Sequence, residues 1–215
     1  MTAQATFAFP NAYLEVDEPP KRIPREKILA AIALVGISYL GFTTLVLHFE
    51  PTRYDPIWQV VSDYAVGCFA FEMELGFFAG GVGLVALALA ISVANPGRRV
   101  FKVGSSLLFI AGLCLFVVGA FPTDIEGAAI TLHGTIHGIL SQFVFILGPI
   151  GILLISYGYG RRSFWPILIT FIAAGIFFAA DMALSLNATG LAERIFILVL
   201  LSWEFVISLR LLRNS

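Results

Sequence analysis

The stretch "ILAAIALVGISYLGFTTLVLH", residues 28–48, has no acidic residue, lysine or arginine and is long enough to cross a lipid bilayer. A transmembrane helix needs about 20 apolar residues. Runs of similar length recur near 70–94, 102–121, 131–157, 164–185 and 194–212. Because continuous apolarity at these lengths favours helices over barrel strands, the sequence predicts an all-α integral membrane protein, a bundle of six transmembrane helices.

The composition of the chain agrees with this prediction. Of 215 residues, 59% are hydrophobic and only 13% are charged, whereas about a quarter are charged in soluble proteins. The net charge of −1 gives no indication of a nucleic-acid partner. Residues 1–26 are polar and rich in proline, so we expect a cytoplasmic tail without a cleaved signal peptide, followed by one membrane domain over 27–215.

The basic residues predict the orientation of the helices. All but two of the 13 lysines and arginines lie in the tail, in alternate connections or at the carboxyl end. The two exceptions are Arg53 and Arg194. By the positive-inside rule both termini are cytoplasmic, and we expect a multi-pass protein of the inner (cytoplasmic) membrane.

This orientation places most acids and histidines at the outer face. They are His48, Glu50, Asp55, Asp63, Asp124, Glu126, His133, Asp181 and Glu193. The segment 49–69 is too polar at its start to span, so we expect a short interfacial helix there, with Trp58 and Tyr64 as anchors. Glu204 lies deeper, and we expect it to be uncharged or hydrogen-bonded to another helix.

Glycines mark two of the predicted helices as close-packing elements. The second span carries Gly76, Gly80, Gly81 and Gly83, and the fourth carries Gly134 and Gly138. Small residues let transmembrane helices approach each other closely. We therefore expect both spans to contact neighbouring helices, or partner subunits, through these residues.

His133 and His137 are four residues apart and so project from one face of a helix. This spacing can chelate a metal ion if a third ligand is supplied. Asp181 is the predicted third ligand, with Asp63 or Asp124 as alternatives at a compatible depth, and zinc is the predicted ion. The alternative is structural, with both histidines hydrogen-bonded to neighbouring carboxylates or backbone.

Three further polar residues lie at a similar depth and are candidates for catalysis. They are Ser62, Asp63 and Asp124. Because polar groups in a membrane need partners, we expect these three to converge with His133, His137 and Asp181.

Several short motifs together carry a resemblance to a known family. They are "SDYAVG" (62–67), "FPTD" (121–124), the histidine-bearing start of the fourth span, "GLAERI" (190–195) and Trp203. In order and spacing they resemble the six-helix prokaryotic membrane proteins of the domain of unknown function 998 family, over roughly residues 28–212. What this resemblance implies is architectural.

A looser likeness is to membrane hydrolases of the alkaline-ceramidase type. It implies that Ser62, Asp63, His133 and His137 would be the matching residue types of a zinc site.

Two functions follow from these observations as hypotheses. The first is a non-catalytic accessory or structural subunit that packs against lipid, against other membrane-protein subunits or against itself. The second is a zinc-dependent hydrolase of a lipid amide or ester at the outer face, where zinc would activate a water molecule. A small transporter is less well supported, because only Glu204 lies deep in the bundle.

The predicted orientation can be tested by cysteine accessibility. In a chain without Cys68 and Cys114, we expect single cysteines at 99 and 162 to react with an impermeant reagent from the cytoplasmic side. Cysteines at 126 and 188 should react only from the outside. Labelling of 126 and 188 from the cytoplasm would contradict the orientation.

Overall fold

The computed structural model describes residues 23–50, 54–125, 127–184 and 188–214, with the backbone alone described at 177, 178, 180–184 and 214. Its six α-helices are α1 (Arg25–Leu47), α2 (Ala70–Ala94), α3 (Arg99–Val118), α4 (Leu132–Tyr159), α5 (Arg161–Leu184) and α6 (Thr189–Asn214). A 3₁₀ helix, Val61–Ala65, precedes α2, and the described residues contain no strand. Each predicted run corresponds to one helix, so the all-α prediction is confirmed; the predicted tail lies almost wholly outside the described residues.

Five of these helices are long and apolar enough to cross a membrane, namely α1, α2, α3, α4 and α6. This applies to the described residues, and several side chains of α5 lie outside them. The molecule is therefore an all-α, multi-pass membrane protein.

The first turn of α6 lies earlier in the chain than predicted, at Thr189 instead of residue 194. The first backbone N–H groups of a helix lack partners within it. Here Gly190 N–H donates to Trp58 O at 3.2 Å and Leu191 N–H donates to Ile57 O at 3.0 Å. The loop before the 3₁₀ helix therefore caps α6, and Glu193 lies inside the helix instead of in a loop.

The expected interfacial helix is short, and one of its two predicted anchors is wrong. Trp58 is 61% exposed, but Tyr64 in the 3₁₀ helix is only 2% exposed. The Tyr64 ring packs against His48 and Tyr54, with centroids 5.8 and 6.1 Å away. It also lies under the Arg194 guanidinium, 5.5 Å from the ring centroid. Tyr64 is thus a core residue at this end of the bundle.

Helix α2 is central, and it contacts α1, α3, α6 and the 3₁₀ helix. Its glycines permit close approaches to neighbouring helices, as predicted. A methyl group at Gly83 would lie 2.9 Å from the backbone nitrogen of Ile37 in α1. One at Gly81 would lie 2.5 Å from the backbone nitrogen of Phe116 in α3. Gly104 of α3 and Gly151 of α4 meet in the same way, a contact that was not predicted from the sequence.

The glycines at the start of α4 do not pack against another helix of this chain, so the prediction of such a contact is wrong, while a contact with a partner subunit stays a prediction. A methyl group at Gly134 would overlap the Asp124 carboxylate, which belongs to a loop. At Gly138 a methyl group would meet no atom within 4 Å. Gly138 instead faces open space inside the bundle.

The crossing of α2 and α3 generates a stability prediction. Gly81→Ala places a methyl group against the Phe116 backbone, which cannot move away as a side chain can. We expect a loss of about 1–3 kcal/mol in the free energy of unfolding, seen as a lower apparent melting temperature in mild detergent. Gly138→Ala is the matched control and should cause no loss; equal behaviour of the two variants would contradict the packing described here.

Candidate functional site

The loop before α4 is tied to the first turn of that helix through Thr131. The Thr131 hydroxyl accepts from Gly134 N–H at 3.1 Å and donates to Asp124 Oδ1 at 2.6 Å. Asp124 Oδ2 also accepts from Thr131 N–H at 2.9 Å. These hydrogen bonds, foremost that from the Thr131 hydroxyl, hold the pKa of Asp124 below its usual value. Asp124 therefore organises the start of α4.

Both histidines of α4 contact the same loop residue, Phe121. His137 is buried, and its Nδ1 lies 2.7 Å from Phe121 O. Since a carbonyl oxygen only accepts, Nδ1 carries the proton, which leaves Nε2 as an acceptor in the neutral ring. The exposed His133 packs its ring edge-on to the Phe121 ring, with centroids 5.4 Å apart. The hydrogen bond from His137 to Phe121 O is the bond to the backbone that the sequence analysis gave as one alternative for the histidines.

Arg194 joins α6 to the end of α1 and to the loop before the 3₁₀ helix. Its Nε donates to His48 Nε2 at 2.9 Å, and its Nη1 donates to Gln59 O at 2.5 Å and Gly190 O at 3.0 Å. The His48 Nδ1 lies 2.6 Å from Thr44 O. This fixes the tautomer, because Nδ1 must donate there and Nε2 must accept from Arg194.

The two catalytic candidates in the 3₁₀ helix are Ser62 and Asp63, and their side chains have different surroundings. Asp63 Oδ2 accepts from Val60 N–H at 3.1 Å, at the start of this helix. Glu193 of α6 reaches the next N–H, that of Val61, at 2.6 Å. Ser62 is half-buried and faces a cavity that His137 also lines. Of the predicted cluster, the structure thus brings Asp124, His133 and His137 together around Phe121, and Ser62 shares the cavity with His137.

The side chain of Asp181 lies outside the described residues, so its predicted role as a metal ligand stays a prediction. Within the described part of the chain, no group of three histidine, cysteine, aspartate or glutamate residues could hold a metal ion.

A cavity of about 300 Å³ occupies the middle of the bundle. It lies where the apolar core divides into two clusters. Ile37, Leu84 and Leu200 belong to one cluster. Leu40, Phe77 and Val118 belong to the other, and all six line the cavity. The two hydrophobic clusters therefore leave a space between them at this point.

Helices α4 and α6 each line this cavity with one face. The face of α4 consists of His137, Gly138, Ser141, Val144 and Phe145. The face of α6 consists of Glu193, Ile197, Leu200, Leu201 and Glu204. Both sets follow the period of an α-helix, with residues recurring every three or four positions.

Most polar groups of the lining lie towards the two ends of the cavity, and Ser141 of α4 lies between them. Ser62, Thr123, His137 and Glu193 lie near the starts of α4 and α6. Glu204 lies about 16 Å further along α6 than Glu193, at a rise of about 1.5 Å per residue. Glu204 is 5% exposed, and the hydrogen bond it makes in the described part of the chain is at its backbone carbonyl and not at its carboxyl group.

Glu193 and Glu204 line the same side of the cavity. It was not predicted from the sequence that these two residues lie together on one helix face. Their spacing contained the signal, because three helical turns bring residues back to the same face. The cavity itself had no comparable signal, since its volume depends on how several helices and the 3₁₀ helix meet.

Comparison with known proteins gave one family. The family described as "Protein of unknown function (DUF998)" matches residues 30–210. Comparisons with curated proteins and with solved structures gave no match.

Proposed function

The chain belongs to the DUF998 family, and we propose that it is a non-catalytic membrane protein that binds an apolar, lipid-like molecule inside its helical bundle. The observation that carries this proposal is the central cavity, whose walls are mostly apolar and carry polar groups chiefly at the two ends. Pockets for small molecules are typically concave and mostly apolar, with a few polar groups that fix orientation.

Space left empty inside a bundle costs the lining side chains their packing contacts on that side. An occupant that fills the cavity restores these contacts.

Water is a poor occupant for the middle of the cavity. A buried water molecule needs two to four polar partners, but the central lining consists of residues such as Leu84, Val144, Ile197 and Leu200. An apolar guest gains dispersion contacts with these side chains. Bilayer lipids supply such guests at high local concentration.

Topology and partners form part of the same proposal. We propose six spans with both termini in the cytoplasm, in the inner membrane, on the strength of the asymmetric basic residues. We also propose association with other membrane-protein subunits or with itself. Mass measurement and identification of co-purifying chains in mild detergent test this, and a monodisperse monomer without partners would contradict it.

The zinc-hydrolase alternative draws no support from the described residues. Asp124 is engaged by Thr131, and no group of three possible ligands that could hold a metal ion occurs in the described part of the chain. Metal analysis of the purified chain tests the alternative directly. We expect zinc well below one equivalent and unchanged by His133→Ala. Stoichiometric zinc that is lost in His133→Ala would favour the hydrolase.

Filling the cavity tests the proposed function. Gly138 lines the cavity, and a methyl group added at this residue would have no atom within 4 Å. Gly138→Phe should therefore place its ring in the space without displacing the backbone. In nanodiscs of neutral lipid, we expect its dissociation constant for decanol to rise about tenfold or more. If the ring keeps two methylene groups of decanol out of the cavity, the loss of about 0.8 kcal/mol for each accounts for such a change.

Gly175→Phe on α5 is the matched control. Gly175 is exposed and has equally open surroundings, and it does not line the cavity. Decanol affinity should stay within about twofold of the original chain. Unchanged binding in Gly138→Phe, with the protein folded, would contradict the proposal.

A further inference from the structure

The cavity presents acceptors and acids, and no lysine or arginine is among the described residues that line it. The titratable residues among those that line the cavity are His137, Glu193 and Glu204. His137 uses Nδ1 as donor to Phe121 O, so its second nitrogen offers a lone pair. Arg194 lies close in sequence, but its Nε and Nη1 are bound to His48, Gln59 and Gly190, outside the lining.

The two carboxyl groups of the cavity differ in their partners. Glu193 accepts a hydrogen bond from Val61 N–H and has Arg194 beside it. Glu204 is more than nine-tenths buried, lines the cavity and has no partner for its carboxyl group among the described residues. Its backbone carbonyl, by contrast, accepts from the Ser208 hydroxyl at 2.8 Å.

A buried polar group without a partner is costly, and buried carboxylates are normally paired with a cation. A guest made only of hydrocarbon would leave Glu204 unsatisfied. A guest with a carboxylate would oppose ionisation of Glu204 and offers it no counter-charge. A guest with an ammonium group would supply both a counter-charge and hydrogen-bond donors.

We infer that the guest is an apolar amine whose protonated nitrogen pairs with the Glu204 carboxylate. Its hydrocarbon part lies along the apolar walls towards His137. The inference rests on the proposed function, because it specifies the chemical class of the molecule that fills the same cavity. Glu204 is then the residue that determines specificity.

A matched set of ligands tests the inference on the full chain in neutral-lipid nanodiscs. Decylamine, decanol and decanoate share one chain length and differ in the head group. After subtraction of binding to empty nanodiscs, calorimetry should give decylamine a dissociation constant roughly tenfold or more below that of decanol, as for a charge-assisted hydrogen bond. Decanoate should bind more weakly than decanol.

Glu204→Gln keeps the shape of the side chain and removes its charge, so the amine and the alcohol should then bind within about threefold of each other. The control is Glu72→Gln, which changes an exposed glutamate of α2 and should keep the full preference for the amine.

The outcomes separate the inference from the proposed function. If decanol binds but decylamine binds no more tightly, the inference is wrong and the proposed function stands. A preference that survives Glu204→Gln would also overturn the inference. If neither ligand binds above empty nanodiscs, the proposed function fails, and the inference fails with it.

Discussion

Close approach of helix backbones at glycine is the constraint on which the structure depends. Gly83 sets α1 against α2, Gly81 sets α2 against α3, and Gly104 with Gly151 sets α3 against α4. Lipid supplies no hydrophobic force between helices, so such contacts hold a bundle together by packing. The four helices thus form one tightly packed wall. Helices α4 and α6 meet only at few positions, and the cavity lies between them.

The ends of the helices carry a different kind of interaction. Arg194, Asp124 and His137 each bind a backbone group or side chain of a neighbouring loop. These bonds satisfy the polar groups that the helix starts and loops would otherwise leave without partners. Asp124 and His137, which looked like site residues in the sequence, therefore have structural partners, and the unsatisfied carboxyl lies deeper, at Glu204.

The helices could be predicted well from the sequence because apolar runs and basic connections are local signals. The α2 glycines could be predicted for the same reason. Tyr64 was misplaced because its burial depends on Arg194 from the far end of the chain, and Gly138 was assigned to packing although it faces open space. Cavity and site depend on which faces meet across the bundle, and no local pattern records this. The spacing of Glu193 and Glu204 was the exception, because it indicates that both lie on one face of α6.

An apolar molecule that binds in the cavity must be able to reach Glu204 within the bundle. Dicyclohexylcarbodiimide tests this access most directly, because this reagent is apolar and reacts with carboxyl groups. After treatment of the protein in nanodiscs, peptide mass spectrometry should locate the modification at Glu204. An unmodified Glu204, in a sample whose exposed Glu72 reacts with a water-soluble carbodiimide, would contradict the claim.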